Sequence, residues 1–325
     1  MMRAYLKVVA SVGLGLCLTS CAQVTKGLKA AKLGGDVDRF VAASESTQKC
    51  DKLGVEPAIQ EEYALGSALA IQWVQRGGGL MLSTATDQQL TTYVNTVGRN
   101  LAMQSPRPTL QWTFGVLNDT RNFNALSAPG GYVFVTRKLL QGVENEGQLA
   151  GVLAHEIAHI VMKHALHQYA TVKVSGCKGA VVSNAIVSAA AGRLLSASDR
   201  DGKLDLDSDT GLLADLTEKT VEVASKGHRK EEELAADRLA VELMLSAGYD
   251  PDAYRQLIAK TPEGGGFFAN HPKRDERVRQ IAEVVREQQG APGTFAELST
   301  DSLRTPALPG SFTTVKGSGV AKDSK

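Results

Sequence analysis

His155-Glu156-Ile157-Ala158-His159 is the stretch on which the reading of this 325-residue chain turns. Residues four apart lie on one face of an α-helix, so both imidazoles can reach a single cation. Glu156 then points about a quarter-turn away. The flanks agree with a helix. Gln148-Leu149-Ala150-Gly151-Val152-Leu153-Ala154 leads in, and Ile157, Ala158, Ile160 and Val161 leave almost no polar side. A helix apolar all round is a buried one, and bare imidazoles inside a core need partners. The plain alternative is a pair of core histidines satisfied by hydrogen bonds. The intervening glutamate at this spacing favours a metal. Asn145, three residues before Gln148, marks the helix start, and the pattern carries the helix to about Gln168.

A cation in a hydrolytic site keeps three protein ligands and one open position. With zinc there, a bound water becomes acidic near neutral pH, and Glu156 stands where it can take the proton. One arrangement has a third histidine six residues after the second, following a glycine. Ala165 and Met162 occupy those places. His164 and His167 fall out of register and are read either onto the exposed side of the helix or behind the metal ligands. The remaining source is an acid on a later helix. Glu231-Glu232-Glu233-Leu234-Ala235-Ala236-Asp237 supplies it, on a helix over 229–247 whose apolar stripe includes Leu234, Leu239, Val241 and Leu245. Glu233 and Asp237 share a face. Glu233 can then bind metal while Asp237 accepts the ring N–H of a ligand histidine and fixes its tautomer. Taken alone, such an acidic run is a solvated face; the histidine pair changes its reading.

Around this pair the chain reads as α+β and mainly helical. Helical spacing marks 57–76, ended by Gly77-Gly78-Gly79, and 88–104, closed by Pro106 and Pro108. Trp112, Phe114 and Val116 alternate in a strand over 110–117, and a second strand over 131–137 follows the turn Pro129-Gly130. An Ala-rich helix over 183–197 precedes an acidic loop from Asp199 to Asp209. Counted from Asp205, the glycine place of a calcium loop holds Thr210 and its closing glutamate place holds Leu216, so a solvated loop is expected. A last helix covers 272–288. From 290 to 325 Pro, Gly, Ser, Thr and Lys predominate, and a disordered tail is expected. The domain itself spans 56–289.

The start of the chain has its own signal. Arg3 and Lys7 precede an apolar run from Val8 to Leu18, and small residues lead to Cys21, as in a secretory signal over 1–20. Leu18-Thr19-Ser20-Cys21 resembles the bacterial lipoprotein cleavage box, which implies lipidation of Cys21 and attachment to a membrane through its acyl chains. The alternative is a cleaved signal in which Cys21 is incidental. Ala22 follows the Cys, and the absence of Asp there resembles signals that send lipoproteins to the outer membrane, facing the periplasm. Residues 21–55 read as a tether. Cys50 and Cys177 are the thiols left over, and an oxidising compartment permits a disulfide between them. Net charge of +1 and 5% aromatic residues argue against a nucleic-acid partner.

Four ordered blocks, over roughly 61–285, resemble the HtpX-related gluzincins, the zinc metallopeptidase group that includes the CAAX prenyl proteases and the periplasmic BepA- and LoiP-type peptidases. They are Asn124 through Pro129-Gly130-Gly131-Tyr132-Val133-Phe134-Val135, the His155–His159 motif, Glu233-x-x-Ala236-Asp237, and His271-Pro272 with Arg277. The resemblance implies a zincin-like peptidase domain with one zinc ion held by His155, His159 and Glu233, and Glu156 as general base. It places Asp237 and Arg277 behind the ligands, and His271 on a loop that caps the metal or steadies the oxyanion. It implies that Gly131, Tyr132, Val133 and Phe134 form an edge strand that receives extended substrate. The implied role is cleavage of misfolded or unassembled envelope proteins. A zinc-stabilised lipoprotein that holds such proteins and rarely cleaves them is the alternative. The chain departs from the group in lacking multi-pass apolar helices and a helical repeat array, which leaves the compact LoiP type as the nearest form. Leu126 and Ser127 replace part of the common Asn-Ala-Phe-Ala, a departure that bears on substrate preference.

Overall fold

The structure, a computed structural model, describes residues 50–182, 210–224, 228–261, 274–290 and 305–310. Its backbone contacts divide the chain into two units, 1–55 with 173–202, and 56–172 with 203–325. In the first, Cys50 and Cys177 are joined by a disulfide, their Cα atoms 5.6 Å apart, and Lys178 pairs with Asp51. The expected signal segment, Cys21, the Ala-rich helix, the acidic loop and His271 lie outside the described residues.

The second unit holds the metal motif. Its elements run α1 (Ile59–Arg76), α2 (Ala85–Met103), β1 (Thr113–Leu117), β2 (Ala125–Ala128), β3 (Tyr132–Thr136), α3 (Arg137–Gly142), α4 (Glu146–Val161), α5 (His164–Val182, which crosses into the first unit), α6 (Thr210–Ala224), α7 (Lys230–Ser246), α8 (Pro251–Lys260) and α9 (Arg274–Gly290). The unit is mainly helical with one small sheet. Helix α2 starts earlier than its apolar spacing predicts, because Thr84 and Asp87 close a reciprocal capping box. Asn145 caps α4 through the Gln148 N–H at 2.9 Å, but the Gln148 side chain returns to the Glu144 N–H, one residue before the cap.

The sheet order is β1-β3-β2, with β1 parallel and β2 antiparallel to β3. This corrects the expected substrate strand. Gly131 lies in the turn, and Tyr132, Val133 and Phe134 belong to the central strand, whose main-chain groups are engaged on both sides. Gly130 (φ 79°) and Gly131 (φ 103°) make the tight turn that folds β2 back along β3. Among the described residues β2 is one edge of the sheet, and β1 is the other, its end met by the Leu80–Leu117 bridge. Thr136 N–H donates to the Asn124 carbonyl, so by alternation Ala125 and Ser127 turn their main-chain groups outward.

The two sheet faces have different neighbours. Phe114, Val116, Ala125, Val133 and Val135 join the core of α2 and α4, while Leu117, Leu126 and Phe134 pack with Ala70 and Val74 of α1. Arg107 pairs with Glu62 at 2.7 Å and donates to the Ile160 carbonyl at 3.3 Å, and Glu62 accepts the Gly130 N–H at 2.9 Å. One half-buried ion pair thus ties α1, the β2–β3 turn and the end of α4.

That contact accounts for a second correction. The helix expected to reach Gln168 stops at Val161, Lys163 takes a left-handed φ of 60°, and α5 begins at His164. No glycine or proline marks the break; Arg107 caps a last-turn carbonyl from outside. Residues 305–310, expected to be disordered, dock instead. The Pro306 carbonyl accepts the Glu146 N–H, and Leu308 packs on the core. None of the described helices is long and apolar enough to cross a membrane.

Candidate metal centre

Helix α4 brings the Nε2 atoms of His155 and His159 to 3.0 Å from each other. Glu233, in the first turn of α7, places Oε2 3.4 Å from His155 Nε2 and Oε1 3.5 Å from His159 Nε2. Ligand atoms around a tetrahedral zinc at about 2.05 Å stand about 3.3 Å apart. The three donors therefore already hold coordination spacing, and two imidazoles and a carboxylate suit a divalent cation. The arrangement rests on packing. Val152, Leu153 and Ile157 of α4 share one core with Ala240, Val241 and Met244 of α7, which fixes the axial register that brings Glu233 opposite the histidines.

Behind His155 lies a fully buried polar cluster. Asp237, one turn after Glu233, sets Oδ1 2.9 Å from His155 Nδ1. Arg277 of α9 donates from Nε and from one terminal nitrogen to the two oxygens of Asp237, each at 2.7 Å. The same terminal nitrogen donates to the Tyr254 hydroxyl, which itself donates to Asp237 at 3.0 Å. Gly151 makes room for Tyr254: a Cβ there would lie 2.3 Å from the tyrosine Cβ.

Behind His159 the partner is another imidazole. His164 Nδ1 is 2.8 Å from His159 Nδ1, and the His228 ring stacks on His159 with centroids 4.1 Å apart. His164 is buried, which rules out the exposed side of the helix and leaves the place behind the ligands. The break at Lys163 turns it inward.

A family model described as Peptidase family M48 matches residues 88–285, a span that includes every one of these metal-site residues. The chain belongs to peptidase family M48. It is 31% identical over 207 residues to the mitochondrial metalloendopeptidase OMA1 of Schizosaccharomyces pombe, covering 61% of this chain and 54% of that protein. It is 25% identical over 226 residues to the beta-barrel assembly-enhancing protease of Yersinia pestis, covering 68% and 41%. Against the Escherichia coli protein of the same name it is 25% identical over 222 residues, covering 66% and 40%. The chain thus spans about half or less of the length of these relatives.

In this M48 centre the charges favour a cation. Burial and the Arg277 charge work to lower His155, yet the carboxylates of Asp237 and Glu233 prevail and raise it to about 9. Burial would raise Asp237, but Arg277 and His155 outweigh it and hold the carboxyl well below the usual range. Burial lowers His159 well below its ordinary value, with the charges of His155 and His228 acting the same way. Burial, helped by His228, lowers His164 to about 4. A neutral His164 can accept a hydrogen bond from His159 Nδ1–H, which leaves the His159 Nε2 lone pair for the metal.

Glu156 sits beside the donors, buried, with its carboxyl raised by burial against the opposing effects of His155 and a hydrogen bond from Ser127 on β2. The structure therefore brings together His155, Glu156, His159, Glu233, Asp237 and Arg277. It separates Gly131–Phe134 from the role expected of them. Tyr254 and His228 were not legible as site residues, and His164 was only one of two histidines that could lie behind the ligands. Tyr254 reads as an apolar position of α8, and the two histidines have no spacing that links them to the motif.

Proposed function

We propose that this chain is a zinc-dependent endopeptidase with a zincin-like catalytic domain. His155, His159 and Glu233 would hold the ion, and the observation that carries the reading is their donor separation of 3.0–3.5 Å beside a buried glutamate. The bound ion supplies a Lewis acid and lowers the pKa of water toward neutrality. Glu156 takes the proton of the attacking water and returns it to the departing amine, a task suited to a carboxyl raised by burial. Asp237, steadied by Arg277 and Tyr254, keeps His155 in the tautomer that leaves Nε2 free. His271 is the proposed donor to the developing oxyanion.

The open edge of β2, not β3, is the proposed substrate strand. Ala125 and Ser127 offer outward main-chain groups next to Glu156, and pairing through the backbone tolerates many sequences. Unfolded or unassembled polypeptides of the bacterial envelope are the proposed substrates. The family assignment and the similarity to the beta-barrel assembly-enhancing proteases support that choice. Lipidation at Cys21 and an outer-membrane position facing the periplasm complete the proposal.

The test compares wild type with Glu156→Gln on quenched casein, with zinc content measured in both. The variant is expected to keep zinc and lose cleavage. Equal cleavage by the two proteins would remove Glu156 as the base. Full zinc occupancy with no cleavage by wild type would favour a protein that only holds its clients.

A further inference from the structure

His159 belongs to two clusters at once. Its Nε2 atom faces His155 and Glu233 across the proposed zinc position. Its Nδ1 atom faces His164 Nδ1 at 2.8 Å, and its ring stacks on that of His228. One nitrogen from each of His159, His164 and His228 lies within 4.8 Å of the other two. Donors on one tetrahedral zinc at about 2.05 Å stand about 3.3 Å apart. To reach that spacing the His159–His164 pair opens by about half an ångström and His228 closes by about 1.5 Å at most.

His228 is placed to supply that movement. It precedes α7 and its cap Arg229 instead of standing within the helix. Gln168 Nε2 and Glu232 Oε2 lie 3.3 Å and 3.7 Å from its Nδ1, polar neighbours that keep the ring near His159. Solvent reaches the cluster through the same ring, whose side chain is 21% exposed. His159 and His228 line a cleft of about 20 Å³ together with Ser127, Ala128 and Pro129 at the end of β2. Such a space holds about one water or one ion. Lys163 also lines it, but its charge is paired with Glu56.

We propose that His159, His164 and His228 form a second transition-metal site, through which excess zinc inhibits cleavage. The site itself stands apart from the peptidase reading; only the inhibition rests on it. Three imidazoles suit zinc, copper or nickel and not magnesium or calcium. The carboxylates of Glu232 and Glu233 stand close to the rings and favour a cation there. When the second ion binds, His159 releases its Nδ1 proton to solvent, and the hydrogen bond to His164 is replaced by two bonds to the ion. The ion then lies against Ser127 and Ala128, in the path of a polypeptide paired along β2.

The test takes the full chain loaded with one zinc ion and dialyses it against free zinc at about 100 μM, ten times a Kd of about 10 μM. Metal content per chain is measured beside cleavage of quenched casein. Wild type should rise from one ion to two. At that concentration about nine sites in ten are filled, so the rate should fall about tenfold. His228→Phe keeps a stacked ring without nitrogens, and His164→Asn removes the second imidazole. Each variant should stop at one ion, and its rate should fall less than about twofold relative to its own rate at one zinc. Normalising each protein to itself removes any change in basal activity. A wild type that stops at one ion would overturn the site. So would variants that take up the second ion and lose activity as wild type does, since an ion held elsewhere or at Glu156 acts on all three proteins alike. A wild type that binds two ions and keeps its full rate would overturn the inhibition. A chain that cleaves nothing at one zinc would sink the peptidase reading, and the ion count would still decide the second site.

Discussion

Asp237 Oδ1 lies 2.9 Å from His155 Nδ1, with both side chains fully buried. The carboxylate accepts a hydrogen bond from the ring N–H and so directs the opposite nitrogen at Glu233. Partners of this kind typically change metal affinity by about 10–100-fold. Asp237→Asn should weaken zinc binding by that range in competition with a chromophoric chelator. Unchanged affinity would mean that packing alone orients His155.

Arg277 should matter first for stability. Removing one member of a buried ion pair costs about 3–5 kcal/mol, so Arg277→Met should lose that much in denaturant unfolding of the metal-free protein at neutral pH. The pH dependence has a definite sign. Asp237 is held below its ordinary value in the fold, so its contribution is complete above the unfolded carboxylate pKa and disappears as pH falls through the depressed folded one. Without Arg277, burial gains over the remaining favourable partners and the carboxyl rises. The acid-unfolding midpoint, followed by circular dichroism, should move up by about one pH unit. An unmoved midpoint would count against the pair.

Gly151 controls whether Tyr254 reaches this cluster. Gly151→Ala would place a methyl 2.3 Å from the Tyr254 Cβ, an atom that no change of rotamer can move. The better helix propensity of alanine contributes about 1 kcal/mol. Overpacking costs about 1–3 kcal/mol, and a clash anchored to the backbone belongs at the upper end. A net loss of about 2 kcal/mol is expected in chemical unfolding, together with weaker zinc binding as the tyrosine hydroxyl withdraws from Asp237. A stability equal to wild type would show that α8 shifts freely, contrary to its buried position.

The legible parts of this molecule are those whose signals are local. The helix of His155 and His159 carries its own period and its own cap at Asn145, and Glu233 and Asp237 share one later helix at a spacing of four. Strand β2 was hidden because Ala125-Leu126-Ser127-Ala128 contains no β-branched or aromatic residue. Its conformation comes from pairing with β3. The resemblance made β3 the edge, and without β2 nothing in the strand pattern opposed that. The end of α4 was hidden for a similar reason, since the contact that terminates it comes from Arg107, more than fifty residues earlier in the chain. Tyr254 and Arg277 converge on Asp237 from two other helices, a meeting that only tertiary packing produces.

His164 offers the sharpest test of the second histidine. Among the described residues no carboxylate stands behind His159; its Nδ1 faces the Nδ1 of His164 at 2.8 Å. If that neutral imidazole fixes the tautomer, His164→Leu should weaken zinc binding by about tenfold. The d–d absorption of the cobalt-substituted protein should shift with the changed ligand orientation. His164→Asn, whose amide oxygen can accept the same proton, should recover most of the affinity. A purely space-filling role predicts the opposite order, because leucine fills the buried site at least as well as asparagine and costs no polar burial. Zinc affinities ranked wild type, then asparagine, then leucine would assign His164 as the acceptor. A leucine variant that binds as tightly as wild type would leave His159 to be oriented by the stacked ring of His228 alone.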